Sequence, residues 1–237
     1  MGALASSYTL EDQRRMTRAA NYFAWQSRLV GCEIGSRVVE VGAGIGNFTQ
    51  TILDRELVIA LDRDADCIAA LREQFPNRPN LKTFVLDAGN GGVESLKTFR
   101  PDSCVCLNVL EHIQDDEAAL QKMASMLSPG GVVVLIVPAF AVLFGPIDRN
   151  LGHYRRYDRR SLLRLAGKAG LRPVKLHYLN FVGFFGWWIN AHILKRQAQS
   201  PAQIDFFDRR VVPTMSRLEA MIHPPFGQSL LAVFKKP

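Results

Sequence analysis

Three glycines at alternate positions form the motif with the clearest chemical meaning in this sequence. Gly42, Gly44 and Gly46 follow a short apolar run, and a residue without Cβ lets the backbone turn sharply and lie against a ligand. The spacing differs from the G-x-G-x-x-G of dinucleotide-binding loops, because Asn47 stands three places after Gly44. Glu40 precedes the loop, where its charge disfavours a pyrophosphate and suits an ammonium or a sulfonium. A glycine-rich turn alone also occurs where it only connects a strand to a helix.

Two aspartates make the glycine loop more informative, because each ends a short apolar run. A carboxylate at the tip of the neighbouring strand can accept hydrogen bonds from both hydroxyls of a ribose, and we assign this role to Asp62. The alternative role is a helix cap, for which Asp64 is better placed. At the next strand end, the Asp87 carboxylate can accept from an adenine amino group while the backbone of Ala88 donates to the ring.

Two histidines are candidates for proton transfer, since an imidazole titrates near neutral pH. His153 is the first candidate for a general base and His112 the second. His112 follows an apolar run, so it also suits a purely structural role in the loop there. The five histidines of the chain show no metal-ligand spacing, so no metal site is expected.

Composition describes one large domain with a basic surface. The chain has 237 residues, is 48% hydrophobic and carries a net charge of +7. Such a surface suits anionic lipid, nucleic acid or a phosphorylated substrate, and equally a plain solvated surface. Four cysteines are too sparse for a disulfide framework. The first residues lack the pattern of a secretory signal, so we expect a reducing, cytoplasmic setting.

Apolar runs alternate with helical patterns along the chain, which predicts a doubly wound parallel sheet. The predicted strands are residues 38–41, 57–62, 81–88, 103–109, 132–137, 171–179 and 228–235. The predicted helices are residues 11–30, 47–53, 65–75, 93–99, 115–127, 159–168 and 213–222. In such a sheet, the glycine loop and both aspartates fall at the carboxyl ends of neighbouring strands, where ligands bind.

The motifs, in this order and spacing, resemble those of class I S-adenosylmethionine-dependent methyltransferases over residues 35–180. Asn108-Val-Leu-Glu-His-Ile113 after the fourth strand is part of the resemblance. It implies one α/β domain over residues 1–237 with a Rossmann-like seven-stranded sheet, whose last strand is antiparallel and inserts between the fifth and sixth. It also implies S-adenosylmethionine as cofactor: the loop surrounds the methionine part, Arg63 lies beside the adenine, and Asn108 lies at the methionine end. The implied cofactor contacts are Glu40, Gly42, Gly44, Gly46, Asp62, Arg63, Asp87, Ala88 and Asn108.

The second half of the chain is where the acceptor must be recognised. Residues 152–157, Gly-His-Tyr-Arg-Arg-Tyr, resemble a segment found in a bacterial branch of the superfamily that acts on small-molecule or lipid-type substrates. Tyr154, Arg156 and Tyr157 are therefore candidate substrate contacts. Six arginines lie between residues 149 and 164 with one acid, Asp158. They form either an anion site or a solvated loop and helix start, where Asp158 is a candidate cap.

A strongly apolar stretch, residues 181–194, is too short and too interrupted to span a membrane. It suits a lid over an apolar acceptor pocket, an oligomer face, an in-plane membrane anchor or core packing, and Phe184 and Trp188 are its candidate substrate contacts. We expect residues 180–227 to form a helical insertion or lid and residues 1–34 a helical cover.

The predicted activity is in-line methyl transfer to a small-molecule or lipid-like acceptor, with O-methylation favoured. The alternatives are an enzyme that acts on a macromolecule and a non-catalytic methyltransferase-like subunit. No nucleic acid is expected, because Asn108 does not begin an Asn/Asp-Pro-Pro-Tyr motif. A peripheral membrane contact and an oligomer are both compatible with the sequence.

Overall fold

The computed structural model describes residues 10–237 and contains a seven-stranded sheet in the order β3-β2-β1-β4-β5-β7-β6. The strands are β1 Arg37–Val41, β2 Leu57–Asp62, β3 Leu81–Val85, β4 Ser103–Leu107, β5 Val132–Pro138, β6 Arg172–Leu179 and β7 Ser229–Lys235. Strands β1 to β5 pair in parallel, and β7 runs antiparallel between β5 and β6. The predicted Rossmann-like fold class, with a helical insertion before an antiparallel last strand, is confirmed.

The sheet is buried because helices cover both of its faces. Successive side chains of a strand point to opposite faces, so Val39 belongs to the apolar layer formed with the helices around Leu120 and Leu162. Its neighbour Val38 belongs to the opposite layer, which includes Trp25 and Met215. Burial on both faces explains the continuous apolar runs that identified the central strands.

The helices are α1 Leu10–Met16, α2 Ala20–Gly31, α3 Ala65–Gln74, α4 Asp116–Met126, α5 Pro146–Asn150, α6 Arg159–Lys168, α7 Phe181–Trp188, α8 Pro201–Phe206 and α9 Val212–Met221. Asp64 and Asp158 cap α3 and α6 by accepting backbone hydrogen bonds, as predicted. The leading helix is broken into α1 and α2, and the first nine residues of the predicted cover lie outside the described range.

Two local predictions were wrong, and a third was confirmed. The helix expected at 47–53 is a single 3-10 turn, Thr49–Ile52, in which the Thr51 hydroxyl donates to the Phe48 carbonyl oxygen and competes with helical bonding. Residues 138–151, for which the sequence predicts a loop after the fifth strand, contain α5, whose first turn begins at a proline. The short helix predicted at 93–99 is present as the 3-10 helix Val93–Phe99.

Buried carboxylates fix the insertion in place. Helix α7 continues as a π-helix to Ile193, and α8 runs through another π-helix into α9. Asp208 accepts hydrogen bonds from the backbone amides of Asn21 and Tyr22 in the first turn of α2. Glu219 accepts from the amides of Asn180 and Phe181 at the start of α7. Each acid satisfies amides that a helix start leaves unpaired. Among the described helices, none has the length and apolarity to cross a membrane.

Candidate active site

A cavity of about 780 Å³ opens at the carboxyl ends of β1, β2 and β4. This volume lies within the range of about 300–1,000 Å³ that is typical of small-molecule sites. Its lining includes seven of the nine predicted cofactor contacts: Glu40, Gly42, Asp62, Arg63, Asp87, Ala88 and Asn108. The other two, Gly44 and Gly46, belong to the loop beside it but do not line it.

The glycines have different roles within the loop. Gly42 has φ +75°, and a Cβ there would lie 2.3 Å from the Val109 side chain. Gly46 has φ +93°, and a Cβ there would lie 2.6 Å from the ring of Phe75, which follows α3. The first glycine therefore permits close contact between two strand ends, and the third permits close packing of the loop on α3.

The two strand-end aspartates hold the backbone around them. Asp62 accepts hydrogen bonds from the amide of Gly44 at 2.8 Å and from that of Asp64 at 3.0 Å, one on each oxygen. Asp87 accepts from the amide of Gly89 and the side chain of Asn90. Because a carboxylate oxygen has two lone pairs, each acid keeps acceptor capacity toward the cavity.

Glu40 is a buried acid at the end of β1. Its Oε2 accepts a hydrogen bond of 2.7 Å from the Thr49 hydroxyl. Burial raises the pKa of Glu40 to about 8, and the charge of nearby Asp62 adds to the effect. The side chain is therefore largely neutral at pH 7 in the free protein, and a positively charged ligand beside it would stabilise the ionised form.

Asn108 and Tyr22 form a second polar pair in the lining. Asn108 adopts the left-handed conformation, with φ 55°, directly after β4. The Tyr22 hydroxyl is hydrogen-bonded to the Asn108 side chain, and burial raises the pKa of Tyr22 to about 12. Tyr22 also packs against the apolar layer that includes Trp25, so it connects that layer to the cavity.

At the other end of the cavity, Asp148 holds His153. Its Oδ1 lies 2.9 Å from Nδ1 of His153 and accepts a hydrogen bond from Nε of Arg156. Its Oδ2 accepts from the Gly145 amide and the indole N–H of Trp187. These donors lower the pKa of Asp148 despite its burial. An ionised Asp148 requires a proton on Nδ1, so a neutral His153 presents the bare nitrogen Nε2 on its other side.

Glu111 and His112 lie on that other side of His153. The Nε2 atom of His153 is 4.0 Å from Oε1 of Glu111, and its ring meets the His112 ring edge-on with centroids 4.6 Å apart. Glu111 is buried, and neither of its carboxylate oxygens has a hydrogen-bond partner within the described chain. Burial raises the pKa of Glu111 to about 7 and lowers that of His112 to about 3.

Comparison with known proteins identifies the fold and the cofactor chemistry together. The family model described as "Methyltransferase domain" matches residues 10–176. The chain belongs to this family.

Individual relatives of this methyltransferase domain agree with the family assignment. A Mycobacterium bovis protein named "Uncharacterized methyltransferase" is 30% identical and aligns with 61% of the chain, which spans only 55% of that relative's length. A Ralstonia nicotianae "Ubiquinone biosynthesis O-methyltransferase" is 26% identical over a region that covers 67% of this chain and 72% of the relative's length. The N-methyltransferase NodS from Bradyrhizobium japonicum, solved with S-adenosyl-L-homocysteine, shares the fold with a TM-score of 0.56 and 16% sequence identity. The matched region covers 96% of this chain and 88% of the NodS chain. The family match confirms the predicted methyltransferase domain. A Mycolicibacterium smegmatis relative named "Probable S-adenosylmethionine-dependent methyltransferase", 28% identical over 71% of this chain and 67% of its own length, agrees with the predicted cofactor.

The substrate contacts predicted for the methyltransferase domain are only partly brought together. Tyr154 and Arg156 line the cavity, whereas Tyr157, Phe184 and Trp188 do not. Tyr157 is buried, and its hydroxyl donates to the Asp116 carboxylate at 2.8 Å. Phe184 packs beside Trp187, and Trp187 is the aromatic residue of this helix that reaches the lining.

Several of the six arginines in the arginine-rich segment make contacts within the fold. Arg155 pairs with Asp116, and Arg156 pairs with the buried Asp148. Arg159 lies over the ring of Tyr178. The sequence did not assign Glu111 and Asp148 to the site. Glu111 directly precedes His112 and Asp148 stands five residues before His153, and this short separation from the predicted histidines was the signal that could have identified them.

Proposed function

We propose that this methyltransferase domain transfers the methyl group of S-adenosylmethionine to a hydroxyl oxygen of a small-molecule or lipid-like acceptor. The main support is the continuity of one cavity. The acids expected at the adenosine end and the pair of histidines at the other end line the same space. The O-methyltransferase among the relatives favours oxygen as the methylated atom.

In this proposal the cofactor lies across the carboxyl ends of β1, β2, β3 and β4. Asp62 accepts from the ribose hydroxyls, while Arg63, Asp87 and the backbone of Ala88 contact the adenine. The glycine loop, residues 42–46, passes under the methionine part. Glu40 and Asn108 face its positively charged end, where the ionised form of Glu40 complements the ammonium.

The chemical step is a displacement at the methyl carbon. The acceptor oxygen forms a bond to that carbon as the carbon–sulfur bond breaks, and the sulfonium leaves as the neutral thioether of S-adenosylhomocysteine. The acceptor proton passes to Nε2 of His153, because the contact of Nδ1 with Asp148 fixes the tautomer of the neutral ring in which Nε2 is the acceptor. His112 is the second candidate for this transfer. Alignment of donor and acceptor in the cavity supplies much of the acceleration.

The surface near the insertion favours an apolar acceptor. Trp187 and Tyr154 line the cavity, and the same helix exposes the apolar side chains of Phe185 and Trp188. Lys195 and Arg196 follow that helix and are also exposed. A lipid-linked acceptor, or contact with an anionic membrane surface, would use both the apolar and the basic residues. This arrangement also fits the proposed membership of the bacterial branch with small-molecule or lipid-type substrates.

Two measurements test the proposal in order. Calorimetry with S-adenosylhomocysteine should give one binding event per chain, and no binding at millimolar ligand would refute the cofactor site. Cofactor carrying a ¹³C-methyl group is then incubated with hydroxylated aromatic and polyprenyl acceptors. The carbon chemical shift of the product distinguishes an O-methyl from an N-methyl or S-methyl group, and either of the latter would refute oxygen as the acceptor atom.

A further inference from the structure

Three electron-pair donors converge at the acceptor end of the cavity. One carboxylate oxygen of Glu111 and one ring nitrogen each of His112 and His153 lie within 4.8 Å of one another. All three residues line the cavity. We infer that Glu111, His112 and His153 bind a divalent transition-metal cation of the Zn²⁺, Mn²⁺ or Fe²⁺ class.

The unpartnered Glu111 carboxylate is the first support. Both of its oxygens are buried without a hydrogen-bond partner in the described chain, and the residue is 1% exposed. A buried polar group without a partner costs about 1–3 kcal/mol, and more if it is charged. A cation held between this carboxylate and the two imidazoles could be bound by both carboxylate oxygens. If only one oxygen binds the cation, the other could accept a hydrogen bond from a water molecule.

The second support is the contact behind His153. Metal-binding histidines usually donate their other ring N–H to a carboxylate or a backbone carbonyl, which fixes the tautomer and turns the free nitrogen toward the metal. Asp148 lies 2.9 Å from Nδ1 of His153 and is itself held by Arg156 and Trp187. The unprotonated Nε2 of this tautomer faces the Glu111 carboxylate, so two hydrogen-bond acceptors lie opposite each other. Only a proton, a water molecule or a cation can bridge two such groups.

The donor set narrows the choice of ion. Two imidazoles and one carboxylate suit Zn²⁺, Mn²⁺ and Fe²⁺, whereas Mg²⁺ and Ca²⁺ prefer oxygen ligands. An ion about 2.0–2.1 Å from each ligand atom needs those atoms about 3.0–3.4 Å apart. Side-chain movements of about 1 Å or less close the site from the distances in the structure, and the cavity leaves room for an acceptor oxygen as a further ligand.

The bound ion changes how the acceptor is activated. With the cation present, Nε2 of His153 is a ligand and does not receive the proton. A cation held by these three residues would polarise the acceptor hydroxyl, whose proton would then leave to solvent before the oxygen attacks the methyl carbon. This use of the ion rests on the proposed function, whereas binding of the ion does not. The sequence predicted no metal site because Glu111 and His112 are about 40 residues from His153 in the chain, and the fold brings the three side chains together.

Metal titration of the full chain without a polyhistidine tag tests the site. Calorimetry with Zn²⁺, and visible absorption with Co²⁺, should show one ion per chain with micromolar or tighter affinity. Glu111→Gln and His153→Gln should each weaken binding at least tenfold. The matched control, His192→Gln, should leave it unchanged, because His192 lies outside the cluster and is exposed.

The outcomes separate this inference from the proposed function. Retained binding of S-adenosylhomocysteine by Glu111→Gln shows that the variant is folded and that the cofactor site is intact. Absence of metal binding by the wild-type chain, or equal affinity in wild type and Glu111→Gln, overturns the inference. Glu111→Gln also decides the question if His153→Gln fails to fold. If chelation leaves methyl transfer unchanged although the metal site is present, the activating role is refuted.

Discussion

Proton release from Glu40 offers the sharpest test of how the cofactor binds. The carboxyl group is buried, and its pKa in the free protein is about 8. The proposed pose places a positive charge beside it, which favours the ionised form, so binding should expel a proton. Glu40→Gln keeps the shape and the capacity to accept from Thr49 but removes the proton that can leave.

The size of the effect follows from the raised pKa. An acid with a pKa of about 8 is about 90% neutral at pH 7 and about 10% neutral at pH 9. Binding should therefore release about 0.9 proton at pH 7 and about 0.1 at pH 9 if the bound carboxylate is fully ionised. Since binding releases a proton, affinity should rise with pH, by up to about tenfold per pH unit below pH 8, and level off above it.

Calorimetry in two buffers with different ionisation enthalpies measures the released protons directly. S-adenosylhomocysteine is titrated into wild type and Glu40→Gln at pH 7 and pH 9. The wild type should show a buffer-dependent enthalpy at pH 7 that disappears in the variant and shrinks at pH 9. A wild-type enthalpy that does not depend on the buffer, or one that Glu40→Gln leaves unchanged, would refute the placement of a positive charge at Glu40.

Three further predictions concern the loop and the cover. Asp62→Ala should weaken S-adenosylhomocysteine binding by more than about 1 kcal/mol in the same assay, the scale of a lost hydrogen-bond partner, and unchanged affinity would contradict the ribose role. Gly42→Ala should abolish S-adenosylhomocysteine binding and lower the melting temperature more than Gly91→Ala. Both glycines have a positive φ, but a Cβ at Gly42 would collide with the Val109 side chain, whereas a Cβ at Gly91 would meet no atom of the described residues. Equal effects of the two substitutions would show that the contact with Val109 is unimportant. Asp208→Ala should destabilise the fold by about 1–3 kcal/mol in urea unfolding, because it leaves two part-buried amides at the start of α2 without their acceptor. Asp205→Ala, which removes a more exposed ion pair, should cost under about 1 kcal/mol, and similar losses in the two variants would contradict the capping role.

The parts of the fold that depend on local pattern were predictable. Buried parallel strands need continuous apolar runs, so β2 and β5 were recognisable from composition alone. Acids and glycines at strand ends were also recognisable, since strand ends in a parallel sheet meet at one edge. The α-helix predicted after the glycine loop is absent because the Thr51 hydroxyl competes for a backbone carbonyl there.

The acceptor end could not be predicted in the same way. Its geometry depends on contacts between segments that are distant in sequence, such as that of Glu111 with His153. The arginines near residue 156 suggested an anion site, but charge alone does not reveal that Arg156 turns inward to Asp148. Asp208 and Glu219 were likewise invisible as helix caps, because each caps a helix from another part of the chain.

The indole of Trp187 joins the helical insertion, residues 180–227, to His153. It donates to the same carboxylate that contacts His153, so the insertion and the histidine share one anchoring point. Under the proposed function, acceptor recognition by the insertion and proton transfer by His153 are therefore coupled through Asp148. Consider a chimera in which residues 180–227 are replaced by the insertion of another family member that lacks a matching indole. It should keep its affinity for the cofactor but lose turnover, even with the methyl acceptor of the protein that supplied the insertion.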